Sequence, residues 1–434
     1  MKTVITYGTY DLMHYGHTRL LKRAKELGDY LIVGVTADDF DKQRGKINVK
    51  QSLEERIANV SATGLADKII VEEYEGQKID DIQRYDVDIF TVGSDWEGKF
   101  DYLKEYCEVV YLDRTEGISS TQLRDENTVK IGIVGASNVV NKFGNESGFV
   151  NGIEVAGVCT ENSGALSKKL KDVYLTEDFE QLLERVDAVY IYSRPEHHYE
   201  QVKKALAAGK HVLCEAPIGL TREQCCELFA MAKEKDLVLQ EMIKTAYSLA
   251  YSRLILLAKS GKIGEIVSVD SSCTSLKALP EGWGALEDWG PTAMLPVLQL
   301  LGTDFKALTS VIKMNQKTGL DSFAKVDFRY DHAVGSIKAA NGVKSEGELV
   351  VSGTKGYIYV PAPWWKTDYF EVRYENPEDN KRYFYQLDGE GIRFAIVSFL
   401  KAIEGRRNTS YIDETVSKGI TEVIEYSKNF AIVI

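Results

Sequence analysis

Two of the chain's six histidines stand three residues apart beside a glycine, in Gly8-Thr9-Tyr10-Asp11-Leu12-Met13-His14-Tyr15-Gly16-His17. On the first turn of a helix that spacing puts both rings on one side. Imidazoles there can donate to phosphate oxygens and offset charge on a leaving pyrophosphate. Gly8 lets the chain turn, Gly16 lets a phosphate approach the backbone, and the following helix offers free N–H groups and a positive dipole end. A second stretch, Arg114-Thr115-Glu116-Gly117-Ile118-Ser119-Ser120-Thr121, sets a fixed cation ahead of three hydroxyls that can cap a helix or hold a phosphate. Between them lies Gly93-Ser94-Asp95-Trp96-Glu97-Gly98, a glycine-bounded turn whose backbone and Trp96 ring can hold a base. The bland alternatives are a capped helix start with two surface histidines and a plain N-cap.

The elements that must position these groups alternate. The apolar runs Val4–Thr6, Leu31–Val35, Ile69–Val71, Ile89–Val92 and Val109–Tyr111 read as strands, with a helical pattern from about Thr18 to Gly28. Strand, helix, strand implies a parallel sheet with right-handed crossovers. A second start follows at Val129–Gly135, with further strands at Glu154–Val158, Ala188–Tyr192, His211–Cys214 and Leu237–Leu239. From about Ile266 the pattern alternates at strand period, at Ile266–Val269, Ala324–Phe328 and Gly347–Val351, which predicts an antiparallel sheet. A helix from about Ile392 to Glu404 and another near the C-terminus are expected to cover one face of it. The expected domains are 1–127, 128–245 and 246–434. The fold class is α/β: two doubly wound units, then an α+β domain with an open antiparallel sheet.

Composition narrows the function. At 434 residues, 44% hydrophobic and 27% charged, the chain suits two or three globular domains. It has no run of 18 apolar residues and no apolar leader after Met1, so a cytoplasmic protein is expected. With 53 basic against 65 acidic residues the net charge is −12, which disfavours nucleic acid or an anionic membrane as partner. Six cysteines without a C-x-x-C spacing suggest neither zinc nor a disulfide framework.

The three N-terminal motifs, extended by Lys99-Phe100-Asp101 after Gly98, resemble the cytidylyltransferase family over about residues 1–126. The H-x-G-H motif alone is shared with adenylyltransferases, and the R-T-E-G-I-S-S-T stretch points to the cytidylyl branch. The resemblance implies a Rossmann-like nucleotidyltransferase domain. It also implies a magnesium-dependent, in-line attack by an alcohol phosphate, such as glycerol 3-phosphate, on the α-phosphate of CTP, giving a CDP-alcohol for a teichoic acid or capsule-like polymer. By this match His14 and His17 stabilise the triphosphate, and Arg114 with the Gly93, Asp95 and Trp96 turn holds the nucleotide. Gly117, Ile118, Ser119, Ser120 and Thr121 close on phosphates. Gly8, Thr9, Tyr10, Asp11 and Gly16 line the site, with Asp11 orienting substrate or touching magnesium. Lys46 stands where the family carries a loop lysine, with Lys42 and Arg44 as rivals because the loop is one residue longer. Arg56 matches a helix arginine.

Gly132-Ile133-Val134-Gly135-Ala136-Ser137-Asn138-Val139-Val140 occupies the place of a dinucleotide fingerprint, with Ser137 at the second glycine. Together with Pro195-Glu196-His197-His198, Glu215-Ala216-Pro217 and Asp288-Trp289-Gly290-Pro291-Thr292, it resembles the glucose-fructose oxidoreductase and inositol dehydrogenase family over residues 128–434. That resemblance implies NAD or NADP on a Rossmann domain holding Gly135, Ser137, Asn138, Glu161, Pro195, His198, Glu215 and Pro217. Glu161 leans toward NAD through a ribose hydroxyl. The family's E-K-P reads Glu215-Ala216-Pro217, and its acid/base histidine reads Thr292. Threonine does not titrate near neutral pH. Lys244, Tyr247 and His198 are the candidate replacements, with Asp288 beside Thr292. The halves therefore suggest either two consecutive enzymes, a reductase of a keto-sugar phosphate feeding a cytidylyltransferase, or an enzyme joined to a non-catalytic dimerisation or sensing module. A homodimer or larger homo-oligomer is expected of both families.

Overall fold

The computed structural model describes residues 2–13, 15–43, 49, 51–74, 76–113, 128–276, 283–385, 387–405 and 410–434. The chain divides into two compact units, residues 1–128 with 149–152, and residues 129–148 with 153–434.

The first unit has strands β1 (Thr3–Gly8), β2 (Tyr30–Thr36), β3 (Lys68–Glu72), β4 (Ile89–Gly93) and β5 (Glu108–Leu112), with helices α1 (Tyr15–Lys25), α2 (Asp38–Gln43), α3 (Leu53–Ala62) and α4 (Gln77–Arg84). All pairings are parallel, in the order β3-β2-β1-β4-β5. β1 and β2 are almost wholly buried apolar runs, as a parallel sheet covered on both faces requires. Val4, Leu31 and Val33 face a core that includes Leu21 of α1 and Val60 of α3. Ile5, Ile32 and Phe90 face another with Ile82 of α4 and Leu103. α1 starts at Tyr15, earlier than Thr18, and takes Gly16 and His17 into its first turn. Ser52 and Glu55 start α3 with a capping box: Glu55 N–H donates to the Ser52 hydroxyl and Ser52 N–H to the Glu55 carboxylate.

The second unit opens with a parallel sheet of β6 (Val129–Val134), β7 (Ile153–Cys159), β8 (Tyr174–Thr176), β9 (Ala188–Ile191), β10 (His211–Glu215) and β11 (Leu239–Met242), ordered β11-β10-β9-β6-β7-β8. The helices of this unit are α5 (Asn138–Ser147), α6 (Lys168–Lys171), α7 (Phe179–Leu183), α8 (Pro195–Ala207), α9 (Arg222–Glu234), α10 (Leu249–Lys259), α11 (Ala285–Asp288), α12 (Gly290–Leu301), α13 (Ile392–Gly405) and α14 (Glu414–Phe430).

A nine-stranded sheet follows. Its strands are β12 (Ile266–Ser275), β13 (Ala307–Met314), β14 (Asp321–Arg329), β15 (Val334–Asn341), β16 (Leu349–Gly353), β17 (Tyr357–Val360), β18 (Tyr369–Arg373), β19 (Lys381–Phe384) and β20 (Ile432–Val433). They are ordered β19-β18-β17-β16-β12-β15-β14-β13-β20. The sheet is largely antiparallel, as the alternation predicts, but β12 pairs β15 in parallel and β20 pairs β13 in parallel. The helix laid across it is α12, against β12 and β15, with α14 beside it. The expected helix at 392–404 is present as α13, but it packs on α5 of the preceding domain instead of the sheet. Its apolar positions therefore answer to a different partner than the alternation suggested. All six cysteines are free. Among the described residues no helix is long and apolar enough to cross a membrane.

Glycines admit one helix to the parallel sheet. Leu182 of α7 is fully buried against Gly132 of β6 and Gly157 of β7, where an added Cβ would come within 2.8 and 2.9 Å of its side chain. Leu182→Ala is expected to destabilise the second unit by about 2–5 kcal/mol, the range for a buried leucine truncated to alanine. Urea unfolding followed by circular dichroism measures the loss.

Candidate functional site

In the first unit the chain runs β1, β2, β3 toward one edge, then returns to lay β4 on the other side of β1. A parallel sheet leaves a crevice at the carboxyl ends of the strands where its order reverses. Gly8 ends β1 and Gly93 ends β4, so the histidine motif and the Gly93–Gly98 turn emerge at that reversal. Between Gly8 and α1, Tyr10 and Leu12 adopt left-handed backbone, with φ of 53° and 45°. A non-glycine residue pays for that conformation, and the loop is held by several contacts. The buried Tyr10 ring lies over Gly8 and meets the His17 ring edge-on at 5.6 Å. Gln51 N–H donates to the Asp11 carboxylate at 3.0 Å, and Leu12 N–H donates to Gln51 Oε1 at 2.8 Å. The Thr9 hydroxyl donates to Asp41 at 2.9 Å. Gly16 and His17 sit in the first turn of α1. A cleft of ≈ 700 Å³ opens beside the loop, between Leu12, Met13 and Thr18 and the residues Gln51, Asn59 and Thr63.

Arg56 takes a different place from the one a nucleotide contact needs. Its side chain is fully buried. The guanidinium donates to the carbonyl oxygens of Thr9 at 2.7 Å, Thr36 at 2.8 Å and Gln51 at 3.2 Å, and pairs with Asp38 and with the buried Asp41. It ties the ends of β1 and β2 to the start of α3. Trp96 lies on a short 3-10 helix, Ser94–Trp96, with 36% of its surface exposed and Lys99 Nζ 4.8 Å from its ring centre. Arg23 of α1 donates to Asp113 O at 2.6 Å and fixes where the chain leaves β5. His14, Arg44, Lys46, Arg114, Gly117, Ile118, Ser119, Ser120 and Thr121 lie outside the described residues, as do the side chains of Lys42 and Asp95.

The second unit reverses between β6 and β9, and its candidate residues collect there. Gly135, just past β6, has φ of 104°, and a Cβ on it would sit 1.9 Å from Tyr192 O, so no other residue fits. Ser137 caps α5, its hydroxyl accepting from Val139 and Val140 N–H at 3.1 and 3.2 Å. Those are amides a pyrophosphate would otherwise meet. Asn138 and Glu161 are exposed, and Pro195 opens α8. The glycine turn at Gly135, with Glu161 after β7, fits a dinucleotide.

Two expected replacements for the missing catalytic groups turn out to be internal. His198 is fully buried with Nδ1 2.7 Å from Pro217 O and Nε2 3.0 Å from Ser193 O, and burial pulls its pKa down to about 4. Neutral at ordinary pH, the ring donates to one of these carbonyls and packs against the other between two loops, in the interior. Tyr247 is likewise in the core, its hydroxyl bonded to Ser410 at 2.6 Å and burial raising its pKa. What remains near the reversal is acidic. Burial pushes Glu215 up to about 7 although Tyr190 donates to it at 2.6 Å, and burial pushes Asp288 up to about 7. Thr292 sits in the first turn of α12, four residues after Asp288. Asp321 holds the start of α11 by accepting from Leu286 N–H at 2.8 Å. Lys244 pairs with Glu390. Glu390, Lys142 and Lys366, which sequence reading passed over, join it there. They come from segments far apart in the chain, so no local pattern announces them. Among the described residues no group of three His, Cys, Asp or Glu side chains is placed to hold a metal ion.

Removing the Arg56 guanidinium takes the paired cation from the buried Asp41 and the donors from three backbone carbonyls. Arg56→Met is expected to cost the first unit about 3–5 kcal/mol, the range for a broken buried pair; thermal unfolding checks it. Glu215 and Asp288 have folded pKa values raised above their unfolded ones, so the stability they contribute is present below about pH 4 and is lost as pH rises to about 7. Melting temperature measured from pH 4 to 8 should carry this falling contribution, opposed below about pH 6.5 by the buried neutral His198, and Glu215→Gln should make the profile less falling than that of the unmodified chain.

Residues 5–126 match the family described as cytidylyltransferase-like, and residues 129–242 match the oxidoreductase family with an NAD-binding Rossmann fold. The chain is 55% identical over 126 residues to a glycerol-3-phosphate cytidylyltransferase of Bacillus spizizenii, covering 29% of this chain and 97% of that protein. It is 28% identical over 223 residues to a trans-1,2-dihydrobenzene-1,2-diol dehydrogenase of Oryctolagus cuniculus, 48% of this chain and 68% of that one. Among solved structures, a 3-ketoreductase from Actinomadura kijaniata in complex with NADP superposes with a TM-score of 0.62 at 20% identity, over 71% of this chain and 99% of that one. That likeness establishes the fold of the second unit. Through its first unit the chain belongs to the cytidylyltransferase family, and it carries an oxidoreductase-family Rossmann domain behind it.

Proposed function

We propose that residues 1–127 transfer CMP from CTP to an alcohol phosphate, with glycerol 3-phosphate the first acceptor to test. The observation that carries this reading is the 55% identity extending over 97% of a glycerol-3-phosphate cytidylyltransferase. The chemistry is an in-line displacement at the α-phosphate, so positioning and charge neutralisation carry it. His14 and His17 would donate to the triphosphate, Arg114 would add a fixed cation, and Lys46, or its rivals Lys42 and Arg44, would close over the phosphates. Trp96 would offer its exposed face to the base. Magnesium would be held mainly by the CTP phosphates, with Asp11 the carboxylate at hand, since this ion usually keeps few protein ligands. In the site as found, Arg56 supports this arrangement as a positioning residue.

Residues 128–245 and 246–434 would form a dinucleotide domain and a substrate domain. NAD(P)H, when bound, supplies hydride. Gly135, Ser137, Asn138, Glu161, Glu215 and Pro217 would hold it, and Asp288, protonatable near neutral pH, would stand where Thr292 offers no acid. We take the substrate to be a keto-sugar phosphate whose reduction yields the alcohol phosphate the first domain activates. Both nucleotides are intracellular, which supports a cytoplasmic enzyme, and symmetric self-association is the expectation for both families. A second reading has its own support: Ser137 already satisfies two amides at the helix N-terminus, and Ala216 and Thr292 remove two reacting groups. On that reading the second half binds ligand or a second copy without turnover.

Pyrophosphate release from CTP is expected with glycerol 3-phosphate. His17→Ala should lower kcat about 100-fold or more, the scale for losing one donor to developing charge. No release with any alcohol phosphate would overturn the assignment. NADPH oxidation with a panel of ketose phosphates separates reductase from scaffold.

A further inference from the structure

Four distant segments of the second unit bring one carboxylate and three ammonium groups together. Glu390 accepts from Lys142 Nζ of α5 at 2.7 Å, from Lys366 Nζ at 3.2 Å and from Lys244 Nζ. One carboxylate neutralises one of these charges. The neighbouring Arg393 is matched by Glu146 at 2.9 Å, so among the described ion pairs the cluster keeps a surplus of two positive charges. Burial by itself would raise the Glu390 pKa, yet the lysines pull it down to about 2.

The backbone under Glu390 is unusual. Gly389, Glu390 and Gly391 all have positive φ, of 58°, 51° and 89°. A glutamate is strained in that conformation, whereas glycine adopts it readily. Gly391 is pressed against Lys244, since a Cβ there would be 2.0 Å from Lys244 O. The turn therefore pushes a carboxylate into a lysine cradle that is over-provisioned for it. The cradle is open to water: the side chains of Glu390 and Lys244 are 22% and 24% exposed, and those of Lys142 and Lys366 are 45% and 40% exposed. Lys244 also acts electrostatically on Glu215, which places the cradle beside the candidate reduction site.

We propose that Lys142, Lys244 and Lys366 form a binding site for the dianionic phosphate of a phosphomonoester substrate, and that Glu390 is its internal stand-in, displaced when the ligand enters. A phosphomonoester carries nearly two negative charges and three acceptor oxygens at neutral pH, matching three ammonium donors and the surplus charge. Each lysine keeps a partner before and after the exchange. The proposal rests on residues 128–434 binding a small substrate, and not on their reducing it.

The test is isothermal titration of the full chain with dihydroxyacetone phosphate, with dihydroxyacetone, NADP and NAD as separate arms. Glu390→Gln removes the competing charge and keeps the shape. It should tighten the phosphate ester about 10-fold or more, on the scale of one charge-assisted hydrogen bond. Lys244→Met combined with Lys366→Met should abolish one binding event per chain. Lys366→Met alone, at an exposed position, serves if another variant fails to fold. Dihydroxyacetone should not bind at this site. Isotherms for the phosphate ester that are unchanged across these variants would overturn the proposal. So would variants that alter NADP affinity alone, because the cradle would then serve a cofactor phosphate. NADPH oxidation followed in parallel separates the two readings. Triad-dependent binding without turnover upholds the cradle and removes the reductase, whereas turnover indifferent to the lysines does the reverse.

Discussion

A charge taken out of water must find a partner, and in both units the functional end of the sheet is organised around that requirement. In the first unit the charge is Arg56. Its guanidinium has five donors in a fixed plane, and the fold spends them on backbone carbonyls of three segments and on two aspartates. Those segments are the exits of β1 and β2 and the entry to α3. Left alone, a loop with two left-handed non-glycine residues would relax to easier backbone; tied at Thr9 by Arg56 and at Asp11 and Leu12 through Gln51, it is held in the shape that leads into α1 at Tyr15, with His17 in its first turn. The histidine motif thus depends on an arginine that never reaches the cleft.

The second unit meets the same requirement with acids. Glu215 and Glu241 stand on adjacent strands, β10 and β11, one register step apart, with Glu241 opposite Cys214 and Glu215 opposite Met242. Glu241 is fully buried, Glu215 partly so, and burial raises both carboxyls. Glu241 accepts from Ile218 N–H and Glu215 from the Tyr190 hydroxyl. No lysine follows Glu215, and the Tyr190 hydroxyl and the charge of Lys244 offset its desolvation only in part, so the carboxyl drifts toward neutrality. Lys244, the candidate for the cation missing one residue on, has its ammonium paired with Glu390.

Much of this was legible, and the failures have causes. The parallel strands show as unbroken apolar runs, because both faces of each sheet are covered. Two strands depart from this: β8, a three-residue edge strand with no buried residue, has no counterpart among the expected strands, and β11 lies at Leu239–Met242 instead of Leu237–Leu239, where the interior polar Gln240 and Glu241 end the apolar signal while the strand continues. β12 runs on to Ser275 for a similar reason, since Ser271, Ser272 and Thr274 are buried but carry no hydrophobic mark. For the sites, the rule is locality. A phosphate motif on one strand-to-helix turn is contiguous and can be read as a string. His198 also sits in a readable string, yet its two carbonyl partners lie 5 and 19 residues away, and they place a candidate acid in the interior. The lysine cradle draws on residues 142, 244, 366 and 390, and only the folded chain brings them together.

The two halves therefore tolerate sequence change differently. Nucleotidyl transfer to a phosphate asks for donors at fixed places and for no group with an unusual proton affinity, so the local motifs that provide those donors are a fair guide to it. Carbonyl reduction needs, in addition, a proton at the right moment from a group poised near neutral pH. With Ala216 and Thr292 in the family's usual places, that poise falls to the environment. Burial brings Glu215 and Asp288 to it, and burial is a property of the fold that no short motif records. An altered motif in the second half is consequently weak evidence that chemistry is lost there. A pair of carboxyls held near neutrality beside an open cationic cradle is the feature that any account of this half has to explain.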